Sequence, residues 1–548
     1  MFPPPQRRFA SSAEHAEPST VAGRHAGPDY FSNVSPKQTN KWVVAGTVLI
    51  GTIMAVLDSS IINVALPEMS GTLGATIEEI TWVVTGYILA QVIIMPICGL
   101  LSGRFGRKRF YVASVILFTA ASMACGVARS MPVMVFFRAL QGMGSGVLIT
   151  VSQAILRETF PPEEQGTAMG LYGLGVVLAP AFGPTLGGWL TDQYAWPWVF
   201  YINVPIGAVA VLMVQRYVND PPYLTREKGK LDLPGLALMT AGLGALQLML
   251  EKGQDRNWFQ SSFIVWLTVV AAVGLALFLW REIRTDRPAV ELGLFRNIPF
   301  SSATALGGVL GMGLYGALFL LPLYLQQLLG YPAMKSGLAM MPRGLAMAVM
   351  MPIGGMLYNR LGPRVLVGTG LAISAFSFWD LAHLSSQTGV WDLLLPQVWQ
   401  GIGFSLLFVA LSTAALATIE KRKMTAAAGL YNVVRQVMGS VGIAISATQL
   451  TRSAAIYHDR MAEHVTIYGA ATRSWLQAVT ADMMRRGADA LTANREALRI
   501  LDLDVMRQAA VLAYNHVLLL VAALFLVSFP LVLLVRGHRD VKVEVVAD

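Results

Sequence analysis

The sequence predicts an all-α membrane protein in which fourteen transmembrane helices form two related six-helix bundles separated by an inserted pair of helices. Three observations carry that expectation. Apolar runs long enough to cross a bilayer recur along the 548 residues, Lys and Arg collect in alternate loops, and three short motifs of the first half return in the second. Composition agrees: 55% of the residues are hydrophobic and 13% charged, against roughly 25% charged in an average soluble domain. A disordered or ordinary soluble chain is excluded. The net charge of +9 is dispersed between the apolar runs, so the basic residues read as topology signals and nucleic acid is not an expected partner.

A spanning helix needs about 20 mostly apolar residues. The expected spans cover 42–65, 80–102, 110–128, 132–154, 166–190, 197–215, 233–250, 261–280, 299–325, 336–357, 365–383, 392–418, 425–450 and 509–535. Residues 1–41 are polar and are expected to form a disordered cytoplasmic segment, and the first apolar run starts too late and is too long for a cleavable signal, so the first span is expected to be retained. With the N-terminus cytoplasmic, the short even-numbered loops hold eighteen Lys and Arg, and the short odd-numbered loops hold only Arg129, Lys252, Arg256 and Lys335. Lys and Arg are retained inside, so both termini, including the tail 536–548, are expected in the cytoplasm of a bacterial cell and the chain in its inner membrane. The long loop 451–508 would be periplasmic. Its eight arginines are nearly balanced by seven acids, and Arg485 to Ala510 has amphipathic helical character. Two readings of it stand: a solvated cap, or a docking surface. Cys98 and Cys125 lie inside apolar runs, so free buried thiols are expected rather than a disulfide or metal site.

The duplication is specific. Gly99-x-Leu101-x-x-Arg104-x-Gly106 returns 256 residues later as Gly355-x-Leu357-x-x-Arg360-x-Gly362. Gln141-Gly142-Met143-Gly144 and Ala168-Met169-Gly170-Leu171-Tyr172 return 259 residues later as Gln400-Gly401-Ile402-Gly403 and Ala427-Ala428-Gly429-Leu430-Tyr431. Spans 1–6 and 9–14 are therefore equivalent, giving an N-terminal bundle at 42–215, an inserted pair with its linkers at 216–298 and a C-terminal bundle at 299–535. Two related bundles around a central pathway are the signature of a major facilitator type of transporter, and the inserted pair is expected outside that pathway.

Few charges lie at membrane depth: Asp58, Arg138, Arg343 and Arg435, with Asp380 near the outer end of span 11. Such charges are costly and usually face a cavity or a proton path. Asp58 lies about 24 Å above the cytoplasmic boundary and Arg138 about 20 Å above it, at 1.5 Å per residue, so the two share a depth. Burial raises a carboxylate's affinity for a proton and a neighbouring Arg lowers it, which suits a group that loads and releases protons. The alternative is a permanent ion pair holding spans 1 and 4 together. Arg343 and Asp380 share the outer third of the second half and are expected to be able to pair. Arg343 and Arg435 either contact an anionic substrate group or are satisfied by helix carbonyls. Asn63, Gln141 and Asn432 complete the substrate-pathway candidates.

These residues resemble the fourteen-span drug:proton antiporters of the major facilitator superfamily, of the EmrB/QacA type. Leu57-Asp58-Ser59-Ser60-Ile61-Ile62-Asn63-Val64-Ala65-Leu66-Pro67 is similar to the family's span 1 signature. Arg138-Ala139-Leu140-Gln141-Gly142-Met143-Gly144 is similar to its span 4 signature, whose Arg the family links to proton transfer. Gly175 and Ala179-Pro180-Ala181-Phe182-Gly183-Pro184-Thr185-Leu186-Gly187-Gly188 resemble the antiporter motif of span 5. Gly99, Arg104, Gly106 and Arg107 match the loop that latches the two halves, except that Gly103 stands where an Asp is expected.

The resemblance implies proton-driven export of lipophilic or amphipathic compounds by alternating access, energised by a proton gradient with no cofactor. The intramembrane arginines favour weak acids. It also implies a periplasmic adaptor and an outer-membrane channel as partners, besides membrane lipids. A dedicated exporter, or a proton-coupled uptake transporter of one amphipathic metabolite or fatty acid, is the alternative. No P-loop and no His-Glu-x-x-His pair is present, so neither ATP hydrolysis nor metal catalysis is expected.

Overall fold

A computed structural model describes residues 40–221, 232–285, 288–466 and 468–535, in which every element below lies. The N-terminal segment up to residue 39, part of the 216–298 linkers and the tail 536–548 fall outside the described residues. The described residues form helices and no strand: α1 (Lys41–Leu73), α2 (Glu78–Phe105), α3 (Arg107–Gly126), α4 (Met131–Thr159), α5 (Pro162–Gln193), α6 (Trp198–Tyr217), α7 (Leu233–Lys252), α8 (Ser262–Arg284), α9 (Ile298–Leu328), α10 (Met334–Leu361), α11 (Pro363–Leu381), α12 (Trp391–Ala417), α13 (Met424–His464), α14 (Ala470–Arg485) and α15 (Ala490–Leu534).

Each expected span coincides with one of these helices, and where a span runs past the helix end it does so by one or two residues. Twelve are long and apolar enough to cross a membrane, and α11 and α13 are not among them. Helix α11 has 19 residues and carries Arg364 and Asp380 near its ends, while the inner part of α13 is diluted by Asn432, Arg435 and Gln436. Length and hydropathy therefore do not confirm a count of fourteen. The 451–508 segment is largely helical: α13 continues to His464, α14 follows, and α15 begins at Ala490 and runs unbroken into the last apolar segment.

The ends of the helices are set locally. Asn40, Asp232, Asn297 and Asp489 each accept a backbone N–H at a helix start, satisfying one of the orphan donors there. Gly106 and Gly362 hold φ of 87° and 81° between α2 and α3 and between α10 and α11, a region that only glycine enters freely. The duplicated motif thus ends in the same turn twice. At the first turn the Asp220 carboxylate accepts from Lys108 N at 2.7 Å, and Arg107 is buried in an ion pair with Glu158. Both contacts stay within the first half.

Packing repeats in the same order in the two halves. Helix α1 packs on α4 and α5 as α9 packs on α12 and α13, α2 on α4 as α10 on α12, and α3 on α4 and α6 as α11 on α12 and α15. The halves meet along α5 with α10 and α13 with α2 and α4. At the face that carries the basic turns, Gly99 presses on Ala426 and Gly355 on Gly166, and deeper in, the Met95 carbonyl meets Gly429 as the Met351 carbonyl meets Gly170. Gly355 also meets Thr167, so the contacts form two pairs related by the 256- and 259-residue displacements, Gly99–Ala426 with Gly355–Thr167 and Met95–Gly429 with Met351–Gly170. No Cβ fits at any of these glycines without moving backbone, so the two halves are closed on each other at this face. The inserted pair α7–α8 packs by α7 against both α2 and α13.

Candidate functional site

Helices α1, α4 and α6 converge on one carboxylate. Asp58 Oδ2 accepts from Arg138 Nη1 at 2.5 Å, and Asp58 Oδ1 accepts from Gln141 Nε2 at 2.8 Å and from Asn203 Nδ2 at 2.9 Å. Arg138 and Gln141 stand three apart and so share one face of α4. Arg138 Nη1 also donates to Gln141 Oε1 at 2.7 Å and its Nε to the Val83 carbonyl at 3.0 Å, while its guanidinium lies over the Tyr87 ring, 4.2 Å from the centroid. Ser122 Oγ accepts from Asn203 Nδ2 and donates to the Phe200 carbonyl. Asp58 is 1% and Arg138 0% exposed. In this conformation the pair is closed to solvent, and removing either partner would leave an uncompensated buried charge.

The glycines of α5 close the other side of α1. Gly183 packs on Ser60 and Gly187 on the Ile61 carbonyl, next to Asp58, and Gly175 meets Leu49 and Ile53. Gly188 faces Val64 at ordinary contact distance. Helix α5 runs through Pro180 and Pro184 without ending. Helix α1 is thereby held between the Asp58 contacts to α4 and α6 on one side and the small residues of α5, which permit close approach, on the other.

A second polar group sits where the halves meet. Asn432 Nδ2 of α13 donates to Gln153 Oε1 of α4 at 2.7 Å. Arg435 is buried, with its guanidinium 5.0 Å from the Phe408 ring and 5.8 Å from the Tyr431 ring, and Phe408 stacks on Tyr172 across the interface. Thr150 Oγ1, Gln153 Nε2, Tyr431 Oη, Asn432 Oδ1 and Arg435 Nη1 are buried with no hydrogen-bond partner. An apolar, aromatic-walled region with a few convergent polar groups is the ordinary form of a small-molecule site.

The remaining sequence candidates divide. Arg343 donates to Gln400 Oε1 at 3.2 Å, and the described ion pairs include none between Arg343 and the half-buried Asp380. The shared depth of those two charges did not bring them together. Asn63 is exposed and stands apart from the Asp58 cluster. Cys98 and Cys125 are free and buried. Sequence reasoning missed Asn203, Tyr87, Gln153 and Phe408. Asn203 and Gln153 each had a usable signal, an amide inside an apolar run.

Comparison with known proteins agrees with this architecture. The Major Facilitator Superfamily profile matches residues 48–443. The chain is 34% identical over 498 residues to the fatty acid resistance protein FarB of Neisseria gonorrhoeae, covering 90% of this chain and 96% of FarB. It is 37% identical over 428 residues to the multidrug export protein EmrB of Haemophilus influenzae, covering 78% of this chain and 84% of that protein. The crystal structure of the human organic anion transporter MFSD10 superposes with a TM-score of 0.59 at 14% identity, covering 90% of this chain and 99% of that one, a likeness of fold.

Proposed function

Since this chain belongs to the Major Facilitator Superfamily and to its EmrB-type branch of multidrug exporters, we propose that it is a drug:proton antiporter that expels lipophilic and amphipathic compounds by alternating access. The observation that carries this reading is the Asp58 carboxylate, buried against Arg138 and held by amide donors from two helices. A carboxylate whose charge is held by a guanidinium and two amides gives up that stabilisation when protonated, so proton binding and the packing of α1 against α4 and α6 are linked. The duplicated glycine contacts at the basic face support a two-state cycle in which that face closes while the other opens. Asp58 then meets a proton when the α5 glycines part from α1, and Arg138 displaces it afterwards.

The eighteen basic residues of alternate loops favour a cytoplasmic basic face in a bacterial inner membrane. In that orientation the helical extension of α13, α14 and α15 stands in the periplasm and is the surface for an adaptor protein that leads to an outer-membrane channel. The aromatic and polar group around Arg435 is the substrate region in this scheme, and a guanidinium there favours weak acids and fatty-acid-like compounds.

The test is transport in proteoliposomes under an imposed pH gradient, with an acidic, a neutral and a cationic lipophile as substrates. Gradient-driven export of a range of lipophiles that Asp58→Asn abolishes is the expected result. Unchanged export in Asp58→Asn removes the coupling, and movement of one compound only, or inward, favours the dedicated exporter or uptake transporter.

A further inference from the structure

The duplication allows each half to be compared with the other residue by residue. Gly142 of α4 packs on the Tyr87 carbonyl of α2, and Gly401 of α12, 259 residues later, packs on the Arg343 carbonyl of α10, 256 residues after Tyr87. Gly144 meets the Ser114 carbonyl, and Gly403 meets the Gly370 carbonyl, with the same two displacements. The crossing of α10 and α11 with α12 therefore repeats that of α2 and α3 with α4. Arg343 takes the place of Tyr87, Gln397 that of Arg138 and Gln400 that of Gln141.

In the first half, Arg138 and Gln141 donate to the Asp58 carboxylate, while the Tyr87 ring lies against the Arg138 guanidinium and its hydroxyl donates to the Ala55 carbonyl. The second half has the donors and lacks the acid. Helix α9, the counterpart of α1, carries no Asp or Glu from Ile298 to Leu328, and its residues that share a cavity with Gln400 are Ala317, Leu320, Leu321 and Tyr324. Those residues and Gln400 line a small apolar cavity that Phe378 and Tyr514 close. Gln397 and Gln400 are fully buried, Gln400 Nε2 has no partner, and neither polar atom of Gln397 has one. Arg343 is buried with Gln400 Oε1 as its hydrogen-bond acceptor. Buried donors are normally paired, and a buried guanidinium calls for an anion.

We infer that this cluster is a binding site for the carboxylate of an amphipathic acid, which sits between Arg343, Gln397 and Gln400 as Asp58 sits between Arg138 and Gln141, with its hydrocarbon tail directed along the apolar side chains of α9, which part to admit it because the cavity there has room for about one water. The substrate's own carboxylate completes in the second half what the protein's carboxylate completes in the first. A neutral or cationic lipophile supplies no acceptor of that strength and gains nothing from the site. The inference rests on the export reading only for how the acid arrives.

Equilibrium binding to the full-length protein in nanodiscs tests it, with dodecanoate, dodecanol and dodecyltrimethylammonium as probes. Dodecanoate is expected to bind more tightly than dodecanol. Arg343→Gln should weaken dodecanoate by at least about tenfold, as loss of a charge-assisted hydrogen bond implies, and Arg343→Lys should restore part of that loss. Dodecyltrimethylammonium should be unaffected. Equal affinity for dodecanoate and dodecanol, or wild-type dodecanoate binding in Arg343→Gln, overturns the site. If Arg343→Gln does not insert, Gln397→Leu gives the same reading, because it removes a donor without leaving a charge. No gradient enters this measurement, so its failure leaves the Asp58 transport test standing, and failure of that test leaves this site standing.

Discussion

Asn203 of α6 donates to Asp58 of α1 across 145 residues of chain, at 2.9 Å, and so adds an amide from a third helix to the ion pair that α4 supplies. The amide holds only the charged carboxylate well, because a protonated Asp58 offers a weaker acceptor. Asn203→Ala should therefore leave the protein inserted and slow gradient-driven export by about tenfold, the order expected for one hydrogen bond to a charge. Asp58→Asn should stop export. Both are read in the same proteoliposome assay, and an Asn203→Ala protein as fast as wild type would show that the third helix plays no part in coupling.

The basic face closes through backbone, so its glycines should respond to a single methyl-bearing side chain. A Cβ at Gly166 would lie 2.5 Å from the Gly355 carbonyl, and one at Gly355 would lie 2.5 Å from the Gly166 carbonyl. Gly166→Val and Gly355→Val are expected to hold this face open. A cysteine at Thr167 in a Cys98→Ser, Cys125→Ser background should then label several-fold faster with a polar maleimide applied from that side. Gly71→Val is the control, since nothing lies within 4 Å of a Cβ there. Equal labelling in all three would mean that the contact is not the gate.

The sequence carried the heights of these groups and little of their azimuths. A rise of 1.5 Å per residue put Asp58 and Arg138 at one depth, and they do pair. The same reasoning put Arg343 beside Asp380, yet Arg343 turns to Gln400 on α12. Depth follows from counting residues along one helix, whereas the direction in which a side chain points depends on how neighbouring helices pack, and that is fixed by the small residues at each crossing. The glycine motifs were visible as a repeat, but the partner carbonyls of Met95, Met351, Tyr87 and Arg343 were not, because a backbone acceptor leaves no mark in the residue type. The inserted pair was expected outside the pathway, and Gln247, an amide inside its apolar run, marks a polar contact without naming the partner, Ser440 of α13 at 2.8 Å.

The extension beyond the expected span of α13 carries a histidine–carboxylate contact whose strength should follow pH. His458 Nε2 lies 3.1 Å from Asp502 Oδ1 of α15 and its Nδ1 lies 3.6 Å from Asp459 Oδ1. The hydrogen bond to Asp502, and then the one to Asp459, raise the His458 pKa above its ordinary value against the opposing effect of burial. A raised folded value means that the contact is fully present below the unfolded pKa of about 6.5 and is lost as pH rises through the higher folded value. Amide exchange across residues 452–464 should speed up as pH is raised from about 6 to about 9, after correction for intrinsic exchange. His458→Gln and Asp502→Asn should each flatten that dependence. A wild-type protein with no such trend would show that the two helices are held together without this pair.

The inserted helix α7 grips both halves at the face opposite the basic turns, and the two grips differ in kind. Toward the first half it packs along α2, with Gly244 against Leu89 and Ile93, and Lys252 Nζ donates to Thr81 Oγ1 at 2.7 Å. Toward α13, α7 and the turn that follows it reach by side-chain hydrogen bonds: Gln247 to Ser440 at 2.8 Å, Trp258 Nε1 to Thr448 at 2.9 Å and Gln254 to Thr451 at 3.3 Å. Each such bond is worth only about 0.5–1.5 kcal/mol net, whereas a packed apolar seam resists separation along its whole length. When the halves rock, α7 should stay with α2 and part from α13. A disulfide between cysteines placed at Gln247 and Ser440 should then stop transport and release it on reduction, while one between cysteines at Lys252 and Thr81 should leave transport running. The opposite pattern would mean that α7 moves with the second half, two blocking cross-links that it moves with neither, and two silent cross-links that neither contact parts during the cycle.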